Sequence, residues 1–217
     1  MDIIKRLKPR TAGSPEARTD FEPLVREAQE EETAVENKTF HGFAFEEKDF
    51  SQTVFKGCIF ERCRFTRCNL KKTEFMDVIF RTCDFSGSLL EGGYLSRCEF
   101  HACKNVGGSL YRAFLQDVLF SGCNFGYANC NCSKWKNVSI ADSSFSNADF
   151  GECSLKNLEL SNVELVRVNF SHTPLAGIDF TASEIADILA SAWELRGAVV
   201  SPAQAAELAK LLGVVVV

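Results

Sequence analysis

Ten cysteines are the residues of this 217-residue sequence that most readily suggest chemistry, because a thiolate can act as a nucleophile or bind a metal ion. Their spacing argues against both roles. Three of them, in the stretch CIFERCRFTRCNL, are five residues apart, and Cys63, Cys83, Cys103 and Cys123 are twenty apart. A ladder of parallel thiols without neighbouring histidines offers no tetrahedral metal site. We therefore expect these side chains to pack in a core, with no metal and no cofactor.

The three histidines do not form a catalytic group either. His41 and His101 occupy equivalent places about three coils apart in the repeat described below, and His172 falls on another side of it. Cys132 is expected to face outward as a single thiol, whereas Cys130 should face inward. The sequence contains no P-loop, dinucleotide-binding fingerprint or nucleophile elbow. We predict that the chain is not an enzyme and has no catalytic residues.

The element that positions these residues is a five-residue repeat, which matches neither the 3.6-residue period of a helix nor the two-residue period of a strand. From Phe40 to Val200 nearly every fifth residue is large and apolar, and 16 of the 19 phenylalanines fall on this grid. Two residues before each large one lies a mostly small residue, and eight of the ten cysteines occupy these small positions. Free cysteine behaves as a small buried hydrophobe. The alternation therefore predicts a tube that is filled by its own side chains.

Units such as CIFER, CRFTR, CDFSG, CNFGY and ADFGE resemble the pentapeptide-repeat family over residues 36–200. The resemblance implies an all-β solenoid, a right-handed quadrilateral β-helix of about eight coils with one pentapeptide on each side. Residues twenty apart would then lie over one another at the ordinary strand spacing of about 4.8 Å. The chain would divide into an N-terminal extension (1–35), the β-helix (36–200) and a C-terminal helix with an apolar tail (201–217).

Two places depart from the repeat. Asn105 is the polar exception on the large grid, and Gly107 and Gly108 follow it, so residues 104–109 are expected to bulge from the tube. The bulge would be either a surface irregularity without a function or a functional loop. After residue 180 the small positions hold Ile188 and Trp193, which look too large for a narrow tube, so the last coil should close there.

Both ends of the chain carry helix signals. The stretch FEPLVREAQEEE, after Asp20 as its cap, reads as a short acidic helix that would either cap the first coil or remain mobile. Ser201, Pro202 and Gln204 match a capping box and predict a helix over about 202–212 that Gly213 ends. Apolar residues at this end would form a lid on the last coil or a dimer seam, and the family resemblance favours the seam. The candidate seam residues are Leu208, Leu211, Leu212, Val214 and Val216.

The bulk composition is that of a soluble globular chain. It is 46% hydrophobic and contains five prolines, and its longest apolar run is far too short to span a bilayer. The N-terminus lacks the apolar segment of a secretory signal. We therefore expect a cytoplasmic protein with reduced thiols and no membrane partner.

The charge is uneven along the chain. Residues 56–81 carry seven basic and three acidic residues, a net charge of +4, whereas residues 137–194 carry two basic and nine acidic residues, a net charge of −7. The acidic segment would form nearly three coils, roughly 14 Å of tube, and duplex DNA of that length carries roughly eight negative charges. The residues of this candidate mimic surface are Asp142, Asp149, Glu152, Glu159, Glu164, Asp179 and Glu184.

A filled tube can act only through its outer walls, so we predict a binding function. The phenylalanine-rich tube and the stretches PLAGIDF and ELRGAVVSPAQAAELAKLLGVVV are similar to the quinolone-resistance (Qnr-like) proteins of the family. That resemblance implies a dimeric, rod-shaped DNA mimic that binds a type II topoisomerase, DNA gyrase in particular, and protects it against quinolones. The alternative is a structural or protein-interaction scaffold with no topoisomerase role.

Direct nucleic-acid binding is the third possibility, and the sequence disfavours it. The aromatic residues of the basic stretch are committed to the core, so none is left to stack on bases. A run of charge is also commonly no more than a solvated face. The basic residues concerned are Arg62, Arg64, Arg67, Lys71 and Lys72.

Overall fold

The structure is a computed structural model that describes residues 6–11 and 15–216. Its body is a coil of short parallel strands, in which each strand pairs with the strand twenty residues further along. Phe40 lies beside Phe60 and Phe60 beside Phe80 in this register. The predicted parallel β-solenoid is therefore confirmed.

The strands are short because each ends at a corner of the tube. They are β1 (Glu16–Arg18), β2 (Ala34–Glu36), β3 (Lys38–His41), β4 (Ala44–Glu46), β5 (Val54–Lys56), β6 (Ile59–Glu61), β7 (Arg64–Thr66), β8 (Glu74–Met76), β9 (Ile79–Arg81), β10 (Tyr94–Ser96), β11 (Glu99–His101), β12 (Phe114–Ser121), β13 (Lys134–Ser144) and β14 (Ser154–Glu164). The last three are longer because they continue round a corner and belong to two sides of the tube.

Two adjacent sides of the tube carry most of the strand pairing. The order β3-β6-β9-β11-β12-β13-β14 forms one side, and β2-β5-β8-β10-β12-β13-β14 forms the other, seven strands each. The final coil is joined by isolated bridges, such as the one between Asp179 and Val199. The strand-paired tube thus has about seven turns. This is one fewer than the predicted eight, because the last repeat keeps the residue spacing without forming strands.

The five-residue period arises because three extended residues are followed by a two-residue corner. One corner residue in nearly every unit has a positive φ, as in Arg62 (53°), Arg67 (52°) and Lys72 (55°). Side chains other than that of glycine are uncommon in this left-handed region. Backbone hydrogen bonds between coils hold the corners in place; the N–H of Arg62, for example, donates to the carbonyl of Arg81 at 2.8 Å.

The inward side chains fill the tube as the repeat predicts. Phe40, Phe60, Phe80, Phe100 and Phe120 are buried. Their rings stack in one column with centroids 4.6–5.1 Å apart, a separation at which aromatic pairs attract one another. A continuous apolar core therefore runs along the axis.

The buried cysteines also bond to the backbone. The thiol of Cys83 donates a hydrogen bond to the carbonyl of Phe60, one coil below, at 3.4 Å. Other thiols that bond to equivalent carbonyls are those of Cys58, Cys63, Cys98 and Cys123. All ten cysteines are free.

The N-terminal extension closes the lower end of the tube. β1 pairs with β3 and adds a strand beneath the first coil, and helix α1 (Phe21–Glu30) covers the opening. Phe21 lies among seven phenylalanine rings, of which those of Phe40 and Phe45 have centroids 4.9 Å away. The helix therefore caps the first coil.

The capping role predicted for Asp20 is wrong, although its position is right. Asp20 immediately precedes α1, but its side chain makes no capping hydrogen bond. Instead its carboxylate accepts a hydrogen bond from Nε of Arg18 at 2.8 Å. The neighbouring guanidinium competes successfully for the same oxygens.

The C-terminal helix α2 (Pro202–Ala209) begins with the predicted capping box and continues into a 3₁₀ turn, Lys210–Leu212. Gln204 N donates to the hydroxyl of Ser201 at 3.3 Å, and Ser201 N donates to Oε1 of Gln204 at 2.8 Å. Nε2 of Gln204 also donates to the carbonyls of Phe180 and Ser183, which fastens the helix to the last coils. Within the described residues, no helix is long and apolar enough to cross a membrane.

The predicted bulge at 104–109 is wrong. Lys104 and Ser109 keep their bridges to the coils on both sides, and Gly107 takes an ordinary corner conformation with φ 64°. Asn105 points into the core and is 1% exposed. A β carbon on Gly108 would lie 1.8 Å from Oδ1 of Asn105, so the amide occupies the space that a side chain there would take.

The expectation that Ile188 is too large for the tube is also wrong, because Ile188 is 2% exposed and belongs to the core. Trp193 behaves as expected and is 62% exposed. The tube therefore continues one unit further than the side-chain sizes suggested.

Candidate interaction surfaces

Neither the histidines nor the carboxylates converge on a reactive centre. His41 lies 3.6 Å from Glu61 and His101 lies 3.0 Å from Glu99, in separate pairs on the outer wall. In the part of the chain that the structure describes, no group of three His, Cys, Asp or Glu side chains could hold a metal ion.

Nine of the ten thiols are buried and therefore shielded from solvent. Cys130 is buried and Cys132 is half-buried, as predicted, and the other eight cysteines are buried in the tube. Burial raises the pKa of Cys98 to about 12 and that of Cys58 to about 11. A thiol that stays protonated is a poor nucleophile. Their role is in packing and in backbone hydrogen bonding.

Five of the seven predicted acidic residues lie on two adjacent sides of the tube. Glu159 and Asp179 are one coil apart on the first side and both line a cleft described below. Glu164 and Glu184 are paired by a bridge on the second side. Asp142 occupies the corner between these sides, with φ 48°. The structure therefore brings these five into one curved acidic surface.

The other two acidic residues, Asp149 and Glu152, lie on the next side and its corner. Asp149 is held by Nδ2 of Asn169 (2.9 Å) and by the N–H of Gly151 (3.1 Å). Asparagine side chains from the next coil bond in the same way elsewhere, as Asn162 does to Asp142 at 2.8 Å. The carboxylates thus face three sides of the tube, and hydrogen bonds fix several of them.

Four of the seven basic residues in the stretch over residues 56–81 form ion pairs with acids of neighbouring coils. Arg81 lies 2.7 Å from Glu61, and Lys71 lies 2.9 Å from Glu91. The other pairs are Lys56 with Glu36 and Arg67 with both Glu46 and Glu47. Exposed pairs of this kind contribute little to stability, but they leave less positive charge for a nucleic acid.

Three of the residues predicted for a dimer seam are exposed apolar residues near the C-terminal end. Leu208 packs against the core, whereas Leu211, Val214 and Val216 are 41–50% exposed. The side chain of Leu212 lies outside the described part of the structure. Exposed Trp193 and Leu189 also belong to this end of the tube.

One feature of the acidic region escaped the sequence analysis. A cleft of about 630 Å³ opens between β14 and the coil above it. Its lining includes Leu158, Leu160, Ile178, Glu159 and Asp179. The sequence analysis missed this cleft because the five-residue spacing runs through the region without a break. The residue that could have indicated it is the proline of PLAGIDF.

Comparison with known proteins gives two family-model matches. A model described as a pentapeptide repeat region matches residues 73–150, and one described as pentapeptide repeats (8 copies) matches residues 45–81 and 143–181. Together they cover residues 45–181. No curated protein matches the sequence.

Several solved structures resemble the chain at low identity. One is a trypsin-treated variant of QnrB1, a plasmid-mediated fluoroquinolone resistance protein, at 20% identity and a TM-score of 0.44, over 85% of this chain and 91% of that one. Another is HetL, a pentapeptide repeat protein involved in heterocyst differentiation regulation from the cyanobacterium Nostoc sp., at 11% identity and a TM-score of 0.26, over 80% of this chain and 94% of that one. Likeness at this level carries no conclusion about function.

Proposed function

This chain belongs to the pentapeptide-repeat family, and we propose that it is a non-enzymatic binding protein whose acidic half imitates duplex DNA. Its filled core leaves the outer walls as the surface that meets other molecules. The proposed partner is a type II topoisomerase, DNA gyrase in particular, and the proposed consequence is protection against quinolones. These finer points rest on the sequence resemblance and on the charge of the tube.

The observation that carries the proposal is the amount and distribution of negative charge over residues 137–194. The net charge of −7 is close to the roughly eight charges that duplex DNA carries over the same length. The carboxylates face three sides of the tube, as the phosphates of a duplex face all sides. A groove that binds DNA by its phosphates would meet a similar field here.

Dimerisation belongs to the same proposal. Two copies that join through the apolar C-terminal residues would place two acidic segments at the centre of a rod. The basic stretches would then lie toward its outer ends. A topoisomerase that grips a central stretch of duplex would find the negative charge in the middle.

The test is gyrase supercoiling with purified protein, in the presence and absence of ciprofloxacin. We expect relief of the drug, or inhibition of supercoiling at a higher dose. A variant with Asp142, Glu164 and Glu184 changed to Lys should lose the effect. A matched control changes Glu27, Glu30 and Glu31, exposed acids at the other end of the tube, to Lys and should keep it.

The alternative is a protein-interaction scaffold without a topoisomerase role. No effect of the wild-type protein in either gyrase assay would favour it. An equal loss in both charge variants would show that net charge matters rather than the acidic half. A shift of free DNA on a gel would instead support direct binding by the basic stretch.

A further inference from the structure

Residues 6–11 lie along one outer corner of the tube and are called the N-terminal strap below. The N–H of Arg10 donates to Oδ1 of Asp77 at 2.9 Å, and that of Leu7 donates to Oδ1 of Asp117 at 3.2 Å. Asp77 and Asp117 are two coils apart in the register of twenty residues, or about 9.6 Å at the ordinary strand spacing. Three extended residues span about 10 Å. The strap is therefore extended and runs along the tube axis, across successive coils.

Carboxylates of the outer wall hold the strap. Nη2 of Arg6 lies 3.0 Å from Oε1 of Glu99, and these two side chains are 11% and 15% exposed. With Asp77 and Asp117, Glu99 gives one carboxylate in each of three successive coils. Asp77 is also bonded to Arg97, whose Nε lies 2.6 Å from its Oδ1. Asp77 therefore keeps an arginine partner if the strap leaves, whereas Glu99 loses its arginine.

The strap also buries a carboxylate that water would otherwise reach. Asp117 is 2% exposed although it lies at a corner of the outer wall, whereas Asn157, at the same corner two coils higher, is exposed. The described groups that donate to Asp117 are neutral: the N–H of Leu7, Nδ2 of Asn137 at 3.1 Å and Nε2 of Gln116 at 3.3 Å. Removing a carboxylate from water is costly, and a charged donor bonds to it more strongly than a neutral one. Asp117 would therefore gain from a cationic partner in place of the strap backbone.

The covered acids lie in line with the acidic surface of the upper coils. One column of outward residues on this side of the tube runs from Glu99 through Ser139 to Glu159. Glu99 is two coils below Ser139, where the acidic segment of residues 137–194 begins on this side. Asp117 lies at the adjoining corner, in the coil between them. The strap therefore covers two carboxylates directly below the acidic surface.

We propose that the strap is displaceable, and that a cationic surface of a partner removes it in order to bind Glu99 and Asp117. The inference rests on the proposed function, because a groove that binds DNA is lined by lysine and arginine. Those side chains replace Arg6 at Glu99 and give Asp117 a charged donor. The same surface repels Lys8 and Arg10 of the strap, since their charges are alike. The partner then meets an acidic surface two coils longer than that of the free protein.

The first experiment follows strap release without a topoisomerase. Its probes are the amides of Leu7 and Arg10, whose hydrogen exchange is read by NMR in the full chain. Decalysine stands for the cationic groove, and it should speed exchange at both amides by about tenfold or more. Decaglutamate at the same ionic strength is the control, and it should leave both rates within about twofold.

Two arginine variants separate the strap from the net charge of the protein. Arg6→Ala removes the side chain that competes for Glu99, and it should tighten decalysine binding by about three- to tenfold in fluorescence anisotropy. Arg26→Ala removes the same charge from an exposed position of α1, and it should change the affinity by less than about twofold. Adding Glu99→Gln and Asp117→Asn to Arg6→Ala should cancel the gain, because the uncovered acids are gone. Circular dichroism shows whether each variant is folded.

A gyrase supercoiling assay then connects the strap with the proposed function. Arg6→Ala should act at a concentration about three- to tenfold lower than that of the wild-type protein, whereas Arg26→Ala should match the wild type. If neither variant nor the wild type affects gyrase while decalysine still releases the strap, the topoisomerase partner is wrong and the displaceable strap is supported.

Three results would overturn the inference. Unchanged exchange of the Leu7 and Arg10 amides in saturating decalysine would show that the strap is a fixed part of the fold. Release by decaglutamate and not by decalysine would assign the strap to an acidic partner. An equal change in decalysine affinity for Arg6→Ala and Arg26→Ala would leave only an effect of net charge.

Discussion

Many of the small inward positions of the tube carry cysteine, serine or threonine, and the structure gives these residues a second role. The hydroxyl of Thr53 donates to the carbonyl of Phe50 at 2.9 Å, and that of Ser88 donates to the carbonyl of Phe65. Buried carbonyls need a donor, and alanine would offer none. The spacing of the sequence predicted that these residues are small and buried. It did not predict their hydrogen bonds to backbone carbonyls, because the size and polarity of one residue do not identify its partner.

Asn105 is a polar residue at a position where the fold buries a side chain in an apolar core. It replaces the large apolar residue of its unit, and its Oδ1 is buried without a hydrogen-bond partner among the described residues. A buried polar atom without a partner costs roughly 1–3 kcal/mol.

We expect Asn105→Leu, a nearly isosteric change, to raise the free energy of unfolding by about 1–2 kcal/mol, because it removes that unsatisfied atom from an apolar column. Urea unfolding followed by circular dichroism measures it. Asn124→Leu, at an exposed outward position, is the matched control and should not stabilise the protein. A less stable Asn105→Leu variant would mean that the amide has a bonding role.

At the level of elements, side-chain spacing predicted the coils well and the connections between them poorly. Leu175 and Phe180 keep their inward places on either side of the cleft, so the repeat looks intact although no backbone hydrogen bond among the described residues joins 154–161 to 174–181. This gap begins at Pro174, which has no N–H, and a pattern of large and small residues does not record that. The short strand β1 was missed for a related reason: its three residues are exposed or half-buried and form no apolar pattern.

The turn that closes the last coil is held by one buried carboxylate. Glu194 is 5% exposed and accepts hydrogen bonds from the N–H of His172 at 2.9 Å and of Ser191 at 2.7 Å. With the Ser191 hydroxyl as the largest cause, these bonds lower the pKa of Glu194 from 4.5 to about 2. Because the pKa is lowered in the folded state, the stabilisation is present above about pH 4.5 and is lost as the pH falls toward 2.

We expect Glu194→Gln to reduce stability at pH 7, since the charged acceptor is gone, and we expect the gap to wild type to shrink between pH 4.5 and 2. Melting temperatures across that range measure the difference. Glu207→Gln, which removes only an exposed pair with Lys210, is the control and should show no such convergence. A gap that stays constant down to pH 2 would contradict the assigned role.

On the scale of the whole molecule, the sequence predicted the net charge of each half but not the partners of the charged side chains. The register of twenty residues per coil assigns each acidic residue to a side of the tube. It does not reveal that asparagines of the next coil bond to the acids, or that acids of neighbouring coils pair with four residues of the basic stretch. Those pairings depend on side-chain geometry between coils. The division of the chain at residues 35 and 200, and the role of the C-terminal residues as a seam, stay predictions.

The dimer makes a direct prediction about mass. We expect light scattering to give about 48 kDa, twice the 24.1 kDa of one chain. Changing Leu211 and Val214 to Glu should yield a folded monomer, because burying two carboxylates in an apolar seam is costly. Tyr127→Glu, at a 66% exposed position far from that end, should leave the mass unchanged. A monomeric wild-type protein at all concentrations would contradict the seam.

The register of twenty residues has a consequence for how such a chain can change in length. Each coil of the regular tube meets only the coils directly above and below it, so excising one complete circuit between equivalent corners would bring two matching surfaces together. The remaining molecule would be shorter by one coil and otherwise the same as the original. A deletion whose length is not a multiple of five residues would turn apolar side chains outward from that point onward. This architecture therefore accepts lengthening or shortening only in whole repeat units.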